Sequence, residues 1–214
     1  MNAGLQGAFG STIGNVGNQE YYLQGSVLDS ARETLVHRLK ALCDNVQLHP
    51  ETFNDHEIVY ALRSNNAQNV ISLRARHALD QPADSAWQLR YLGQPEMGDK
   101  NRGAAMRSYL DTCTGPNLPD FLTEIGFKMD YELVCKGYMF RKGKMKVTVT
   151  KLYKIVNPGS FDKLEPVSNS HLVELGVVVA SASDAIADDI KCFAEQLKPI
   201  VTMEKVDPRK IQAY

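Results

Sequence analysis

The stretch that decides the fold is residues 128–156, KMDYELVCKGYMFRKGKMKVTVTKLYKIV. Apolar and polar side chains alternate along both of its halves, a pattern typical of half-buried β-strands. Between the halves, RKGK at 141–144 supplies a turn, and Gly143 can adopt the positive φ that a tight turn requires. The stretch predicts a hairpin of two long strands, which belongs in the middle of a larger antiparallel sheet.

The two strands need one irregularity if their apolar side chains are to share a face. A regular register puts Tyr131 opposite Lys154, whereas one extra residue at Gly137 puts Tyr131 opposite Tyr153. Because a one-residue slip exposes the whole apolar face, we predict a β-bulge at Gly137. Lys151 then falls on the apolar side, where it either reaches water at a rim or points into a polar barrel interior.

The composition is that of an ordinary globular protein. The 214 residues are 43% hydrophobic and 23% charged, with a net charge of −1, so no overall bias indicates nucleic acid or anionic membrane as a partner. We expect no membrane span and no signal peptide, since the apolar runs are too short and the N-terminus lacks a basic start. The four cysteines are far apart, which favours reduced thiols in an intracellular protein.

Helix and strand signals alternate along the rest of the chain. Predicted strands lie at 21–28, 56–63, 70–78, 87–92 and within 170–180, with a weaker strand signal at 102–112. Two long amphipathic helices are predicted, from 30 to about 45 and from 183 to 199, with a short helix at 118–125. Residues 157–166, which contain two prolines, are predicted to be a connecting loop.

About eight strands with few helices imply a mainly antiparallel α+β fold whose sheet must protect its edges. A closed or nearly closed β-barrel does so completely, with the helices on its wall or at an end. The Gly- and Asn-rich residues 1–18 are predicted to be a disordered tail, residues 19–208 a single barrel domain, and residues 209–214 a C-terminal tail.

The sequence offers little catalytic chemistry. Its five histidines show no metal-ligand spacing, and no nucleophile motif is present. We therefore predict no catalytic, metal-binding or cofactor-binding residues. One enzyme hypothesis stays open: barrels of the triphosphate-tunnel class hydrolyse polyphosphate with a divalent metal, using Glu-x-Glu-x-Lys on the first strand. Here the corresponding residues are Glu20, Tyr22 and Gln24, so one carboxylate remains.

The hairpin turn carries a local basic patch, which leaves a second alternative. Arg141, Lys142, Lys144 and Lys146, together with Lys136, could contact phosphate. No aromatic platform accompanies them, and such turns are commonly only soluble hairpin tips, so we expect no direct specific nucleic-acid binding.

Several segments resemble the metazoan form of the Mediator subunit 18 family in order and spacing, over roughly residues 21–208. The most specific is WQLRYLGQPEMGDKNR at 87–102; shorter ones are LQGSVL (23–28), LCDN (42–45), ETF (51–53), LRAR (73–76), KG (136–137), FRKG (140–143) and FAEQLKP (193–199). The resemblance implies a β-barrel related to the triphosphate-tunnel barrels but without recognised catalysis.

The same resemblance implies a function and partners. It implies a nuclear, non-enzymatic subunit of the head module of the Mediator transcription coactivator. It implies pairing with a second barrel subunit, Mediator subunit 20, and capture of a C-terminal helix of Mediator subunit 8. Other head-module subunits and RNA polymerase II are further implied partners, and no small-molecule substrate or membrane is.

Contact residues are predicted in one region. The loop 93–102 is long and charged, and loops often carry binding residues; core packing of the flanking strand and a purely structural role for the loop are the alternatives. The candidate partner-binding residues are Trp87, Leu89, Tyr91, Gln94, Pro95, Glu96, Met97, Lys100 and Arg102.

Overall fold

A computed structural model of the chain describes residues 18–44, 50–63, 70–96 and 101–206. The predicted N-terminal tail lies outside the described residues except for Asn18, which begins the first strand. The predicted C-terminal tail, 209–214, also lies outside them. The domain boundaries of 19 and 208 therefore stay predictions.

The described residues form one antiparallel sheet of nine strands. In spatial order the strands are β6-β2-β3-β4-β5-β1-β9-β7-β8, and an additional pairing of β6 with β7 closes eight of them into a barrel. The predicted α+β barrel is confirmed. The strands are β1 (Asn18–Leu28), β2 (Glu51–Arg63), β3 (Val70–Ala78), β4 (Trp87–Leu92), β5 (Ala105–Thr114), β6 (Lys128–Lys142), β7 (Met145–Asn157), β8 (Ser160–Pro166) and β9 (Ser170–Val179).

The prediction of a loop at 157–166 is wrong, because residues 160–166 form β8. The segment pairs with the C-terminal half of β7, while β9 pairs with its N-terminal half. A turn at Pro158 and Gly159, with Gly159 at φ +79°, separates β7 from β8. This strand was not predicted from the sequence because its apolar and polar residues alternate only weakly and its prolines favour loops.

Two long helices and one short helix accompany the barrel, as predicted: α1 (Arg32–Leu42), α2 (Leu118–Glu124) and α3 (Asp184–Glu195). A 3-10 turn precedes α1, and the N-cap of α1 makes no side-chain hydrogen bond. None of the described helices is long and apolar enough to cross a membrane.

The helices bury the outer wall of the barrel in two separate apolar cores. α1 and α3 pack on β1, β6, β7 and β9. This first core contains Tyr21, Leu23, Val27, Leu35, Val36, Leu39, Phe140, Val147, Val149, Val173, Leu175, Val177, Ile190, Phe193 and Leu197, among others. α2 covers β2 and β3 on another side. This second core contains Ile58, Tyr60, Ala75, Leu118, Leu122 and Phe127.

The hairpin of β6 and β7 closes with a two-residue turn, Gly143 and Lys144, instead of the predicted four-residue turn. Gly143 has φ +55°, which its missing side chain allows. Lys142 faces Met145, and the register continues unbroken to Val134. The predicted bulge at Gly137 is wrong, because shortening the turn aligns the apolar residues nearest the turn without it.

The apolar side chains of β6 change faces along the strand. Phe140 lies in the first core, and Tyr138 packs against it. Met129 and Tyr131, which were predicted to lie on the buried face, are 57% and 44% exposed. β6 does have a register irregularity, but it lies near the start of the strand and in the pairing with β2. There Val59 faces Tyr131 and Tyr60 faces Met129.

Candidate functional site: a charge-filled lumen and exposed outer surfaces

Strand alternation sorts the side chains of the barrel into an outer set and a lumen set. The outer positions of β1, β2 and β3 supply the apolar cores. The alternate positions of the same and neighbouring strands carry charged side chains that pair with one another across the lumen. These are Glu20, Glu57, Arg74, Arg76, Arg90, Arg107 and Asp111.

Glu57 is the most enclosed carboxylate of the lumen, with 4% of its surface exposed. Its two oxygens accept hydrogen bonds from Arg74 at 2.8 Å and Arg76 at 2.5 Å. Burial by itself raises the pKa of Glu57, but the adjacent guanidinium groups outweigh burial, so the pKa lies below its ordinary value. The space among these three side chains, Gln88 and Arg90 holds no water-sized void.

Two further ion pairs fill the lumen. Arg90 binds Asp111 at 2.8 Å, and the Tyr109 hydroxyl donates to the same carboxylate oxygen at 2.7 Å. Arg107 donates to Glu20 at 2.6 Å, and its guanidinium carbon lies 4.1 Å from the centre of the Tyr22 ring. Burial raises the pKa of Tyr109 above its ordinary value, so this hydroxyl stays a donor at neutral pH.

The first strand does present Glu20, Tyr22 and Gln24 to the lumen side, as the comparison with tunnel enzymes requires. Each is already engaged, however, because Gln24 donates to Glu174 at 2.9 Å while Glu20 and Tyr22 contact Arg107. Within the described ranges no three His, Cys, Asp or Glu side chains come together as a metal site. The arrangement neutralises the lumen carboxylates Glu20, Glu57 and Asp111 with arginine.

The predicted strand residues Trp87, Leu89 and Tyr91 are half-buried in β4. Trp87 and Leu89 pack against the second core, and the Trp87 ring lies 5.0 Å from that of His77. The packing of Trp87 and Leu89 agrees with the core-packing alternative for these two residues.

The predicted loop residues follow β4 closely at first. Gln94 and Glu96 are exposed, Pro95 is half-buried, and the backbone of Glu96 exchanges hydrogen bonds with Met106 at 2.7 and 3.0 Å. Met97 and Lys100 lie outside the described residues, and Arg102 is half-buried.

At its end the loop lies against α3. A side chain at Gly103 would come within 2.4 Å of the Ala187 carbonyl oxygen. Glycine is needed there because the loop backbone and the helix approach each other so closely.

The basic residues of the hairpin turn do not form one free patch. Lys142 pairs with Asp44 at 3.0 Å, and the same carboxylate accepts the Gly143 backbone N–H at 2.6 Å. Arg141 lies 3.7 Å from Glu51. Since acidic partners bind two of the basic residues of the turn, Arg141 and Lys142, the structure gives the nucleic-acid alternative little support.

The structure exposes one apolar surface that the sequence did not single out. Phe121 and Ile125 are 54% and 50% exposed on and just beyond the outward face of α2. The opposite face of α2 is buried through Leu118 and Leu122. The sequence did contain a signal for this surface, because the apolar residues of the short helix lie on more than one of its faces.

Sequence relatives identify the family. The family described as Med18 protein matches residues 19–212. Mediator of RNA polymerase II transcription subunit 18 from Danio rerio is 51% identical over 200 residues, which is 94% of each chain. The chain belongs to the Mediator subunit 18 family.

Two solved structures are similar in fold to this Mediator subunit 18 family member. A chain of the Schizosaccharomyces pombe Mediator head module matches with TM-score 0.69 and 19% identity, covering 88% of this chain and 98% of that one. The Mimivirus capping enzyme triphosphatase matches with TM-score 0.51 and 8% identity, covering 84% and 89%. At such identities the likeness concerns the fold alone.

Proposed function

We propose that this chain is a non-enzymatic subunit of the Mediator head module and acts in the nucleus as an interaction body for RNA polymerase II transcription. The observation that carries the proposal is the family match over residues 19–212, which spans the whole barrel and all three helices. The lumen supports it, because its carboxylates Glu20 and Glu57 already bind arginine and are not free to hold a metal ion.

The proposal includes two specific partners, a second barrel subunit (subunit 20) and a C-terminal helix of subunit 8. We place the helix on α2, where Phe121 and Ile125 stand four residues apart, the spacing of the ridge that packs against another helix. Exposed apolar surface of this kind is typical of protein interfaces. We place the second barrel on the polar loop at Gln94 and Glu96, with Arg102 beside it.

Co-expression with both partners tests the proposal. The wild-type chain is expected to co-purify with both at physiological salt. Phe121→Ser combined with Ile125→Ser should lose the helix of subunit 8 while keeping the second barrel, and Gln94→Ala combined with Glu96→Ala should weaken the second barrel. Leu110→Ser removes an equally exposed apolar side chain on β5 and serves as the matched control. A folded wild-type chain that captures neither partner contradicts the proposal.

The triphosphatase alternative needs its own measurement. Incubation of the full chain with tripolyphosphate and manganese or magnesium should release no phosphate above background, because Glu20 and Glu57 are bound by arginine. Phosphate release that Glu20→Gln abolishes would establish an enzyme and overturn the non-enzymatic assignment.

A further inference from the structure

A cleft of about 340 Å³ opens on the outer wall of the barrel, next to the first apolar core, against which its lining residue Tyr138 packs. Its floor is the outer face of β2, β6 and β7, with Arg32 of α1 at one side and Asp80 of the β3–β4 connection among its lining. Tyr138 and Tyr153 line it as well. This volume falls within the range of sites that hold small ligands or peptide side chains.

A row of polar side chains crosses the floor of the cleft. Asn54 of β2 faces Lys136 of β6, and Lys136 faces Lys151 of β7. Two lysines directly opposite each other on neighbouring strands repel, so such a pair costs stability unless anions neutralise it. The chain must therefore supply negative charge here or obtain it from outside.

Asp29 neutralises only one of the two lysines. The Lys151 ammonium donates to both carboxylate oxygens of Asp29, at 2.7 and 2.6 Å, and to the Ser168 carbonyl at 2.7 Å, which uses all of its donors. Lys151 is thus held on the outer wall, neither in the lumen nor free at a rim. His171, which also lines the cleft, adds no charge near neutral pH because burial lowers its pKa.

Lys136 has no such partner within the part of the chain that the structure describes. Among the described residues no carboxylate oxygen lies within 4 Å of its ammonium, which instead lies 5.6 Å from the centre of the Tyr153 ring. Arg32 lies similarly over Tyr138, at 5.9 Å, and within the described ranges its one ion pair is with its exposed neighbour Glu33. Both cations therefore stand beside aromatic rings at an open cleft.

One wall of the cleft also carries an unused hydrogen-bond acceptor. The Asn54 side-chain oxygen is buried and receives no hydrogen bond within the described part of the chain. A buried polar atom left in this way costs free energy. Because this oxygen has almost no accessible surface, a bound group would reach it only after the Asn54 side chain moves.

We propose that this cleft binds an acidic peptide segment of a partner protein, with Lys136 and Arg32 holding a carboxylate and Tyr138 and Tyr153 packing against its apolar neighbours. Charge complementarity selects the occupant: the lining holds three cations, Arg32, Lys136 and Lys151, against one carboxylate, Asp80, beside aromatic surface. This site is separate from α2 and from the loop at 94–102, and it does not depend on which subunits the chain joins.

Fluorescence anisotropy of the full-length chain with a labelled synthetic peptide tests the proposal. The probe is a short peptide in which glutamate alternates with leucine, compared with the same peptide carrying glutamine for glutamate. The glutamine peptide should bind at least about tenfold more weakly, since charge-assisted hydrogen bonds are roughly twice as strong as neutral ones. Equal binding of the two peptides, or no binding of either, overturns the proposal.

Charge-removing variants locate the site. Arg32→Gln combined with Lys136→Gln should weaken the glutamate peptide at least about tenfold, whereas Lys144→Gln, which removes an exposed charge at the hairpin tip, should change binding less than about twofold. Equal weakening by both would indicate nonspecific attraction and overturn the site. A measurement on the wild-type chain does not depend on whether the variants fold. In NMR spectra of that chain, the peptide should shift the amide resonances of Gly137 and of the Asn54 side chain, and shifts confined elsewhere contradict the assignment.

Discussion

The lumen face and the outer face of the same strands are built from opposite chemistry, although both are largely buried. On β2, Ile58 and Tyr60 face outward into an apolar core, while Glu57 faces inward to two arginines. On β1, Tyr21 and Leu23 face the first core, while Glu20 meets Arg107. Period-two alternation therefore separates two faces of a strand but does not show which one meets water.

The two faces contribute to stability in different ways. Apolar burial under the helices is non-directional and scales with area, so it supplies most of the driving force for folding. A buried ion pair gains little over a well-packed apolar pair, yet removing one partner leaves an uncompensated charge. The lumen pairs should therefore matter most when they are broken singly.

The largest expected effect belongs to the outer face. Phe140 is completely buried in the first core, so Phe140→Ala should lower the free energy of unfolding by about 3–5 kcal/mol through lost burial and a cavity. Urea denaturation followed by circular dichroism measures the change. Phe121→Ala removes the same side chain from an exposed position and should cost less than about 1 kcal/mol in the isolated chain. Similar losses for both variants would mean that the helices do not cover the wall as described.

Glu57→Gln tests the lumen face and should have the next largest effect. It leaves Arg74 and Arg76 without their carboxylate, at an expected cost of about 2–4 kcal/mol. The cost is below that of Phe140→Ala because the Arg74 side chain is 39% exposed and can regain water. Glu33→Gln, at a 70% exposed side chain, is the matched control and should cost under about 0.5 kcal/mol. A near-neutral Glu57→Gln would show that the lumen charges are solvated.

The pH dependence of stability should distinguish two carboxyls that lie two residues apart on β2. The pKa of Glu57 is lowered, so its contribution is present above the ordinary value of 4.5 and is lost as pH falls through the folded pKa. Burial raises the pKa of Asp55, so its contribution is present below 3.8 and is lost as pH rises through the folded pKa.

The two variants should therefore change the slope of stability against pH in opposite directions. Compared with wild type between acid and neutral pH, Glu57→Gln should rise less steeply and Asp55→Asn more steeply. Urea denaturation at a series of pH values measures both slopes. Parallel curves for wild type and both variants would contradict the electrostatic difference between the two positions.

Much of the architecture follows from local sequence signals. The strands 70–78 and 87–92 coincide with β3 and β4, because turn residues flank them and alternation is regular. β8 and the register of β6 were mispredicted for different reasons: β8 alternates weakly and contains proline, whereas the length of the β6–β7 turn decides the register of β6.

The candidate site was harder to predict than the fold. The spacing of Glu20, Tyr22 and Gln24 showed that tunnel chemistry is incomplete, but the arginines that fill the lumen come from β3, β4 and β5, far away in sequence. Likewise, the cleft at Lys136 exists only because four strands and the start of α1 meet there. Trp87 and Leu89 were singled out for their position beside a charged loop, and the structure uses them in packing.

Lys151→Met should have the smallest effect and compares an ion pair of the outer face with those of the lumen. Lys151 is buried, but its partner Asp29 is 45% exposed and can be rehydrated when the ammonium is lost. The new methionine fills similar volume, so the expected cost is about 1 kcal/mol or less, well below that of Glu57→Gln. Lys144→Met, at an exposed position, controls for the loss of one charge. A cost as large as that of Glu57→Gln would contradict this expectation. It would mean that the loss of stability depends on how deeply the mutated side chain is buried, and not on how deeply its remaining partner is buried.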